Sequence, residues 1–128
     1  MNLVETPAVR ITCEVYREIS PAIAAALTAM GIHRPYVQSG RSIMIGEGRG
    51  MFLSRGTRLI EDRIDIYRFA LVPEHETAVM GRLVQAGMLN QEGRGSIYSE
   101  SVKFLHPEND CPFERPSLSE GYEHSCLL

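Results

Sequence analysis

Val9–Tyr16 reads VRITCEVY, and after Arg17, Glu18 and Ile19 the chain continues as SPAIAAALTAMG over Ser20–Gly31. In the first stretch Val9, Ile11, Cys13 and Val15 alternate with Arg10, Thr12, Glu14 and Tyr16, the period of two of a half-buried strand. Ser20-Pro21 supplies an N-cap residue and a proline at the first helical position, so a helix is expected to start there. Ile23, Leu27 and Met30 fall on one helical face, the intervening alanines allow close approach to a sheet, and Gly31 is a natural left-handed stop.

The same cadence then returns. Tyr36–Ile45 is a second extended stretch, with a bulge or bend expected near Gly40. Gly46–Asp62 is rich in glycine and charge without sustained periodicity and reads as a long exposed loop, which in a small domain is usually functional. Ile64–Val72 is a third strand, closed by Pro73. A helix is predicted from Glu74 to about Ala86, with Val79, Met80, Leu83 and Val84 inward and Gly87 as its stop. After a turn over Asn90–Gly95, Ser96–Val102 is the fourth strand. This β-α-β, loop, β-α-β order predicts an α+β ferredoxin-like βαββαβ sandwich, an antiparallel four-stranded sheet with both helices on one face. Residues 1–105 form the expected domain and residues 106–128 a C-terminal extension, rich in Pro, Ser and Glu and expected to be a tail. Tyr67, Phe69 and Tyr98 are assigned to the open sheet face, whose simplest cover is oligomerisation.

The totals narrow the function. A chain of 128 residues with net charge −3 is about one domain and gives no general electrostatic reason to bind nucleic acid or an anionic membrane. No apolar run approaches the ~20 residues that span a bilayer, and Met1–Pro7 does not resemble a secretory signal, so a cytoplasmic protein is expected. Cys13 reads as a buried hydrophobe, and Cys111 and Cys126 as free thiols or a reversible redox pair. His106, Cys111, His124 and Cys126 fit no compact zinc signature, and no metal is assigned. The scattered histidines, and Asp62 and Asp65 read as a solvated strand edge, suggest no enzyme.

One motif stands out. Glu-Gly-Arg-Gly occurs at Glu47–Gly50 and again at Glu92–Gly95. Glycine uncovers backbone N–H groups and arginine adds a fixed positive fork, so two such turns could hold a phosphate from two sides. With the element order, three short matches make residues 9–102 resemble the PII signalling family and its PII-like relatives. Gly46-Glu47-Gly48-Arg49 is similar to the Gly-x-Gly-Arg at the base of that family's long T-loop, and Arg55-Gly56 to the Arg-Gly within the loop. Glu92-Gly93-Arg94-Gly95-Ser96-Ile97-Tyr98 resembles the B-loop Gly-x-Gly-Lys-Ile-Phe that wraps nucleotide phosphates.

The resemblance implies a non-catalytic cytoplasmic homotrimer that binds an adenine nucleotide in clefts between subunits. It implies a nucleotide site of Gly46, Gly48, Arg49, Arg63, Gly93, Arg94, Gly95, Ser96 and Lys103. The loop bearing Arg49, Arg55 and Arg58 would grip a target transporter or enzyme. Gly50 stands where the family's glutamine helps bind magnesium and 2-oxoglutarate, Leu59 near its modifiable tyrosine, and Ser96 at its B-loop lysine. The Arg-x-Arg beyond the fourth strand is missing, and Lys103 is the only nearby cation. Fewer phosphate-directed charges favour AMP, ADP or another adenosine ligand over Mg-ATP. The alternatives are a trimeric metal-binding protein resembling the copper-tolerance CutA proteins, and an interaction module whose glycine turns bind nothing.

Overall fold

The computed structural model describes residues 2–45 and 59–118. The elements run β1 (Leu3–Tyr16), α1 (Ser20–Ala29), β2 (Tyr36–Ile45), β3 (Leu59–Leu71), a 3₁₀ turn (Pro73–His75), α2 (Glu76–Gly87) and β4 (Gly95–Pro107). The strands form one sheet in the order β2-β3-β1-β4, antiparallel at every pairing. The expected ferredoxin-like sandwich is what the chain forms.

The period of two in β1 decides which side the helices take. Val9, Ile11, Cys13 and Val15 are buried together with Ile23 and Leu27 of α1 and Val79 and Leu83 of α2. In register with them on β3 stand Leu71, Phe69 and Tyr67, opposite Val9, Ile11 and Cys13. Tyr67 and Phe69 therefore face the helices, and both are buried. This corrects their expected place on the open face; only Tyr98, opposite Thr12 and 46% exposed, lies there. Burial in this core pushes the Cys13 thiol up to about 12, with Glu14 adding to the effect.

Several boundaries and caps differ from the sequence reading for identifiable reasons. Ser20 is not the N-cap of α1: Ile19 occupies that position with no side-chain cap bond. Ser20 faces the sheet, where its hydroxyl and that of Tyr67 share a buried hydrogen bond of 2.6 Å. Pro21 keeps its expected place at the start of the helix. Gly31, at φ +80, closes α1 as expected, with Ile32 N–H donating to Leu27 O and Gly31 N–H to Thr28 O. At the end of α2 the left-handed residue is Met88, φ 54, and not Gly87. Gly87 is instead a point of close approach: a Cβ there would lie 2.9 Å from Leu89 Cδ2 and 3.2 Å from Ile23 Cδ1. Of the four inward residues expected on α2, Val79 and Leu83 are buried, while Met80 pairs only partly with the core.

The strands are longer than their apolar cores. β1 and β4 continue past the expected ends as a two-stranded ribbon, from Pro7↔Lys103 to Leu3↔Pro107. One side of it is exposed, with Leu3, Glu5, Lys103 and Leu105, and the other half-buried, with Val4, Thr6, Phe104 and His106, an alternation that Thr, Glu and Lys obscure in the sequence. β2 pairs β3 without interruption through Gly40↔Ile64, so no bulge occurs at Gly40. β3 begins at Leu59, which takes Leu59–Asp62 out of the expected loop and into a strand; the rest of that loop, residues 46–58, lies outside the described residues.

The C-terminal extension is docked as far as residue 118. Pro107 still belongs to β4, and the chain then turns back against the sheet. Glu114 N–H donates to Ala70 O at 2.8 Å and Ser117 N–H to Met30 O at 2.7 Å. Phe113 meets Phe104 edge-on at 5.0 Å, and Leu118 joins the core. Apolar Phe113 and Leu118, spaced among polar residues, fasten a segment whose average composition reads as a tail.

Candidate functional site

The second Glu-Gly-Arg-Gly copy forms the turn between α2 and β4, and each of its last three residues has a local reason to be there. Gly93 sits at φ +79 with open space around it. Gly95 sits at φ +140, where a Cβ would overlap the Glu14 carbonyl oxygen and lie 2.9 Å from Val15 Cα, so β4 can enter the sheet only with glycine at this point. Between them, Arg94 Nε donates to the Gly87 carbonyl at 2.7 Å, capping the C-terminal end of α2. Arg94 O in turn accepts from Tyr16 N–H at 3.4 Å.

This turn forms one wall of a cleft of about 370 Å³ lined by Tyr16, Glu18, Ile19, Asp62, Gly93 and Arg94. The end of β1 supplies Tyr16, the connection to α1 Glu18 and Ile19, and β3 Asp62. The register explains the location. β1 stops at Tyr16, opposite Ile64, and β4 begins at Gly95, opposite Val15, while the β2–β3 ribbon runs on from Arg41↔Arg63 to Ile45↔Leu59. The connection over 46–58, which holds the first Glu-Gly-Arg-Gly copy, therefore leaves the sheet at the same end as the second copy. Asp62, expected to be only a solvated edge, lines the cleft.

The predicted nucleotide residues are distributed as follows. Gly93 and Arg94 line the cleft, and Gly95 and Ser96 follow directly on β4. Arg63 is exposed next to Asp62, its carbonyl accepting from Arg17 N–H at 3.0 Å. Gly46, Gly48, Arg49, Arg55 and Arg58 lie outside the described residues. Lys103 is not brought to the others within one copy. It stands on β4 eight residues beyond Gly95 (103 − 95), about 26 Å at the usual strand rise, and lies 3.8 Å from Glu5. Sequence reasoning missed Tyr16 and Glu18; the available signal was topological, since the β1–α1 connection and the α2–β4 turn must share one end of the sheet.

Electrostatically the cleft is mixed. Glu18 and Asp62 line it together with Arg94, whose guanidinium already spends Nε on the helix carbonyl. A fully charged triphosphate would meet two carboxylates there, whereas one phosphate group could share the remaining Arg94 donors and the turn's N–H groups.

Elsewhere, Cys111 is an exposed free thiol; a backbone hydrogen bond at Phe113 and then Arg115, with Nη2 3.5 Å from Sγ, hold its pKa below the ordinary thiol range. His124 and Cys126, which the sequence reading weighed with His106 and Cys111 and to which it assigned no metal, lie outside the described residues. Among the described residues no group of three or more His, Cys, Asp or Glu side chains could share a metal ion. None of the described helices is long and apolar enough to cross a membrane.

No protein-family profile matches the chain, and no curated protein matches it in sequence. Solved structures do match. The Bacillus subtilis GlnK–ATP complex superposes with a TM-score of 0.56 at 8% identity, covering 75% of this chain and 82% of that one. GlnK of the same organism gives 0.54 at 11% identity, covering 76% and 86%. Arabidopsis thaliana PII bound to citrate gives 0.46 at 13% identity, covering 73% and 76%. With the β2-β3-β1-β4 sheet and two helices on one face, this protein has the PII-like fold seen in the GlnK structures, at 8–11% sequence identity to them.

Proposed function

We propose that the protein is a non-catalytic, cytoplasmic PII-like regulator. In this reading it assembles as a homotrimer, binds an adenine nucleotide at the Gly93–Arg94 cleft, and controls a target transporter or enzyme through the 46–62 segment. The observation that carries this reading is the cleft's position. It lies between the second Glu-Gly-Arg-Gly turn and Asp62, at the end of the sheet from which the connection bearing the first copy departs. That the similarly folded GlnK is known as an ATP complex supports a nucleotide as the ligand.

The mixed charge of the cleft favours AMP or ADP over ATP. Arg49, Arg63, Ser96 and a neighbouring copy's Lys103 complete the phosphate contacts in this reading, with Gly46, Gly48 and Gly95 shaping the backbone. Nucleotide bound beside Asp62 shifts the population of conformations of the attached segment, and Arg49, Arg55 and Arg58 meet the partner.

Titration calorimetry of the full chain with AMP, ADP and ATP tests the ligand. AMP or ADP is expected to bind more tightly than ATP, and Arg94→Ala or Arg49→Ala to weaken binding about tenfold or more. Unchanged affinity in both variants would place the nucleotide elsewhere. Limited proteolysis tests the coupling: identical cleavage within 46–58 with and without a saturating nucleotide would remove the switch.

A further inference from the structure

Three arginines stand in one cross-strand row. Arg41 of β2 is the register partner of Arg63 on β3. On the other side of β3, Tyr16 is opposite Ile64, and Arg17 continues that register by donating its N–H to the Arg63 carbonyl at 3.0 Å. Neighbouring Cα atoms in such a row lie about 5 Å apart, so the three side chains depart from a span of roughly 10 Å. All three residues are exposed.

The pleat puts Arg63 on the side of the sheet that the helices cover, because it lies an even number of residues from Tyr67 and Phe69. The helix layer does not reach it. Ser20, the first residue of α1, is bonded to Tyr67, four residues along β3 (67 − 63). The row therefore occupies a ledge beyond the start of α1, away from the open face where trimer contacts are expected.

Little among the described residues answers this charge. Like charges directly opposite one another destabilise a sheet. The guanidiniums of Arg17 and Arg63 make no hydrogen bond or ion pair among the described residues. Asp65, two residues along the same face of β3, spends Oδ1 on the Ser39 hydroxyl at 2.8 Å. The segment from Arg41 to Arg63 holds five arginines against three carboxylates, a balance of +2 in a chain whose total is −3.

We propose that this row is a docking surface for the regulated partner, and that the partner meets it with an acidic surface, two or three Asp or Glu carboxylates within about 10 Å of one another. The proposal rests on the reading that the 46–62 segment engages a protein. β2 and β3 carry the two ends of that segment, so whatever it grips is brought down on Arg41 and Arg63. Guanidinium–carboxylate pairs then replace repulsion along the row with attraction. A nucleic acid fits less well: the row is only three cations long, no aromatic side chain stands in it for bases to stack on, and the remainder of the chain carries −5.

The test is fluorescence anisotropy on the full chain with labelled poly-L-glutamate and with polyuridylate of matched length, beside cosedimentation with phosphatidylserine vesicles. Poly-L-glutamate is expected to bind saturably, more weakly as salt rises, and more tightly than the other two probes. Arg17→Gln and Arg41→Gln should each weaken that binding about three- to fivefold, and together about tenfold or more. Arg115→Gln, which removes one charge beside Glu114 at the Leu71 end of β3, should leave it unchanged. Arg63 is kept intact because the nucleotide reading also uses it. A urea melt of Arg17→Gln should show stability no lower than the parent, since the change removes repulsion; a clear loss would mean that the guanidinium is satisfied within the chain, and overturns the proposal. No saturable binding of poly-L-glutamate, or unchanged affinity in the double variant, overturns it too. Tighter binding of polyuridylate or of the vesicles does the same, making the row a nucleic-acid or membrane surface. Absence of nucleotide binding, with these effects intact, bears only on the nucleotide reading.

Discussion

Replacing Gly95 by alanine separates the architectural role of the second Glu-Gly-Arg-Gly turn from any role in binding. At φ +140 an alanine adopts a backbone conformation that costs about 1–3 kcal/mol. Its Cβ would also overlap the Glu14 carbonyl oxygen and press on Val15 Cα. Both obstacles are backbone of the central strand, which cannot swing aside as a side chain would, so a further ~1–3 kcal/mol of overpacking is expected. The sum, about 4 kcal/mol, is a large part of the ~5–15 kcal/mol that holds a domain folded. Gly93→Ala is the internal control. Its φ of +79 carries the left-handed penalty, about 1–2 kcal/mol, but nothing lies within 4 Å of the added carbon. Equilibrium urea denaturation of both variants at one fixed protein concentration measures the difference. If Gly95→Ala costs no more than Gly93→Ala, the close approach of β4 to β1 is not what requires glycine there, and the reasoning fails.

Other outcomes follow from the packing. Ser20→Ala and Tyr67→Phe should each cost about 1–3 kcal/mol by stranding a buried hydroxyl, and the double variant less than their sum; additive losses in a denaturation cycle would mean the 2.6 Å bond is not formed in solution. Native protein treated with iodoacetamide at pH 8 should be alkylated at Cys111 and spared at Cys13 until urea is added, as peptide mapping can show. Because the folded Cys13 thiol titrates near 12 against an ordinary 9.0, its contribution is complete below about pH 9 and is lost as pH rises toward 12. Cys13→Ala should therefore flatten the fall in unfolding free energy across that interval. Arg94→Ala should cost about 1–2 kcal/mol by removing the cap on Gly87 O; a variant as stable as the parent would mean the guanidinium is not held there.

Much of the fold was legible because its signals are local. The alternation of Val9–Tyr16, the Pro21 start and the Gly31 stop each correspond to an observed feature. What sequence missed depends on neighbours distant along the chain. Ser20 has the composition of a cap, but the sheet turns it toward Tyr67, 47 residues away. Met88, and not the adjacent glycine, takes the left-handed position because Gly87 is needed where Ile23 and Leu89 leave no room for a Cβ. The candidate site was legible only as a motif. The repeat marked the turn correctly, yet Tyr16, Glu18 and Asp62 carry no local signature, and only register brings them to it.

The central position of β1 also has a consequence for biosynthesis. This first-made strand bonds on one side to β3 and on the other to β4, with Leu3 opposite Pro107. During translation it must wait for β3, and its second edge stays unsatisfied until β4 emerges, while Leu118 completes the core only afterwards. Loops this long delay the contacts that repay their closure, so the nascent sheet should assemble late and slowly. Until β4 arrives, the hydrogen-bonding groups on one side of the most apolar strand remain open to wrong partners, which makes the interval before its synthesis the time when aggregation threatens most.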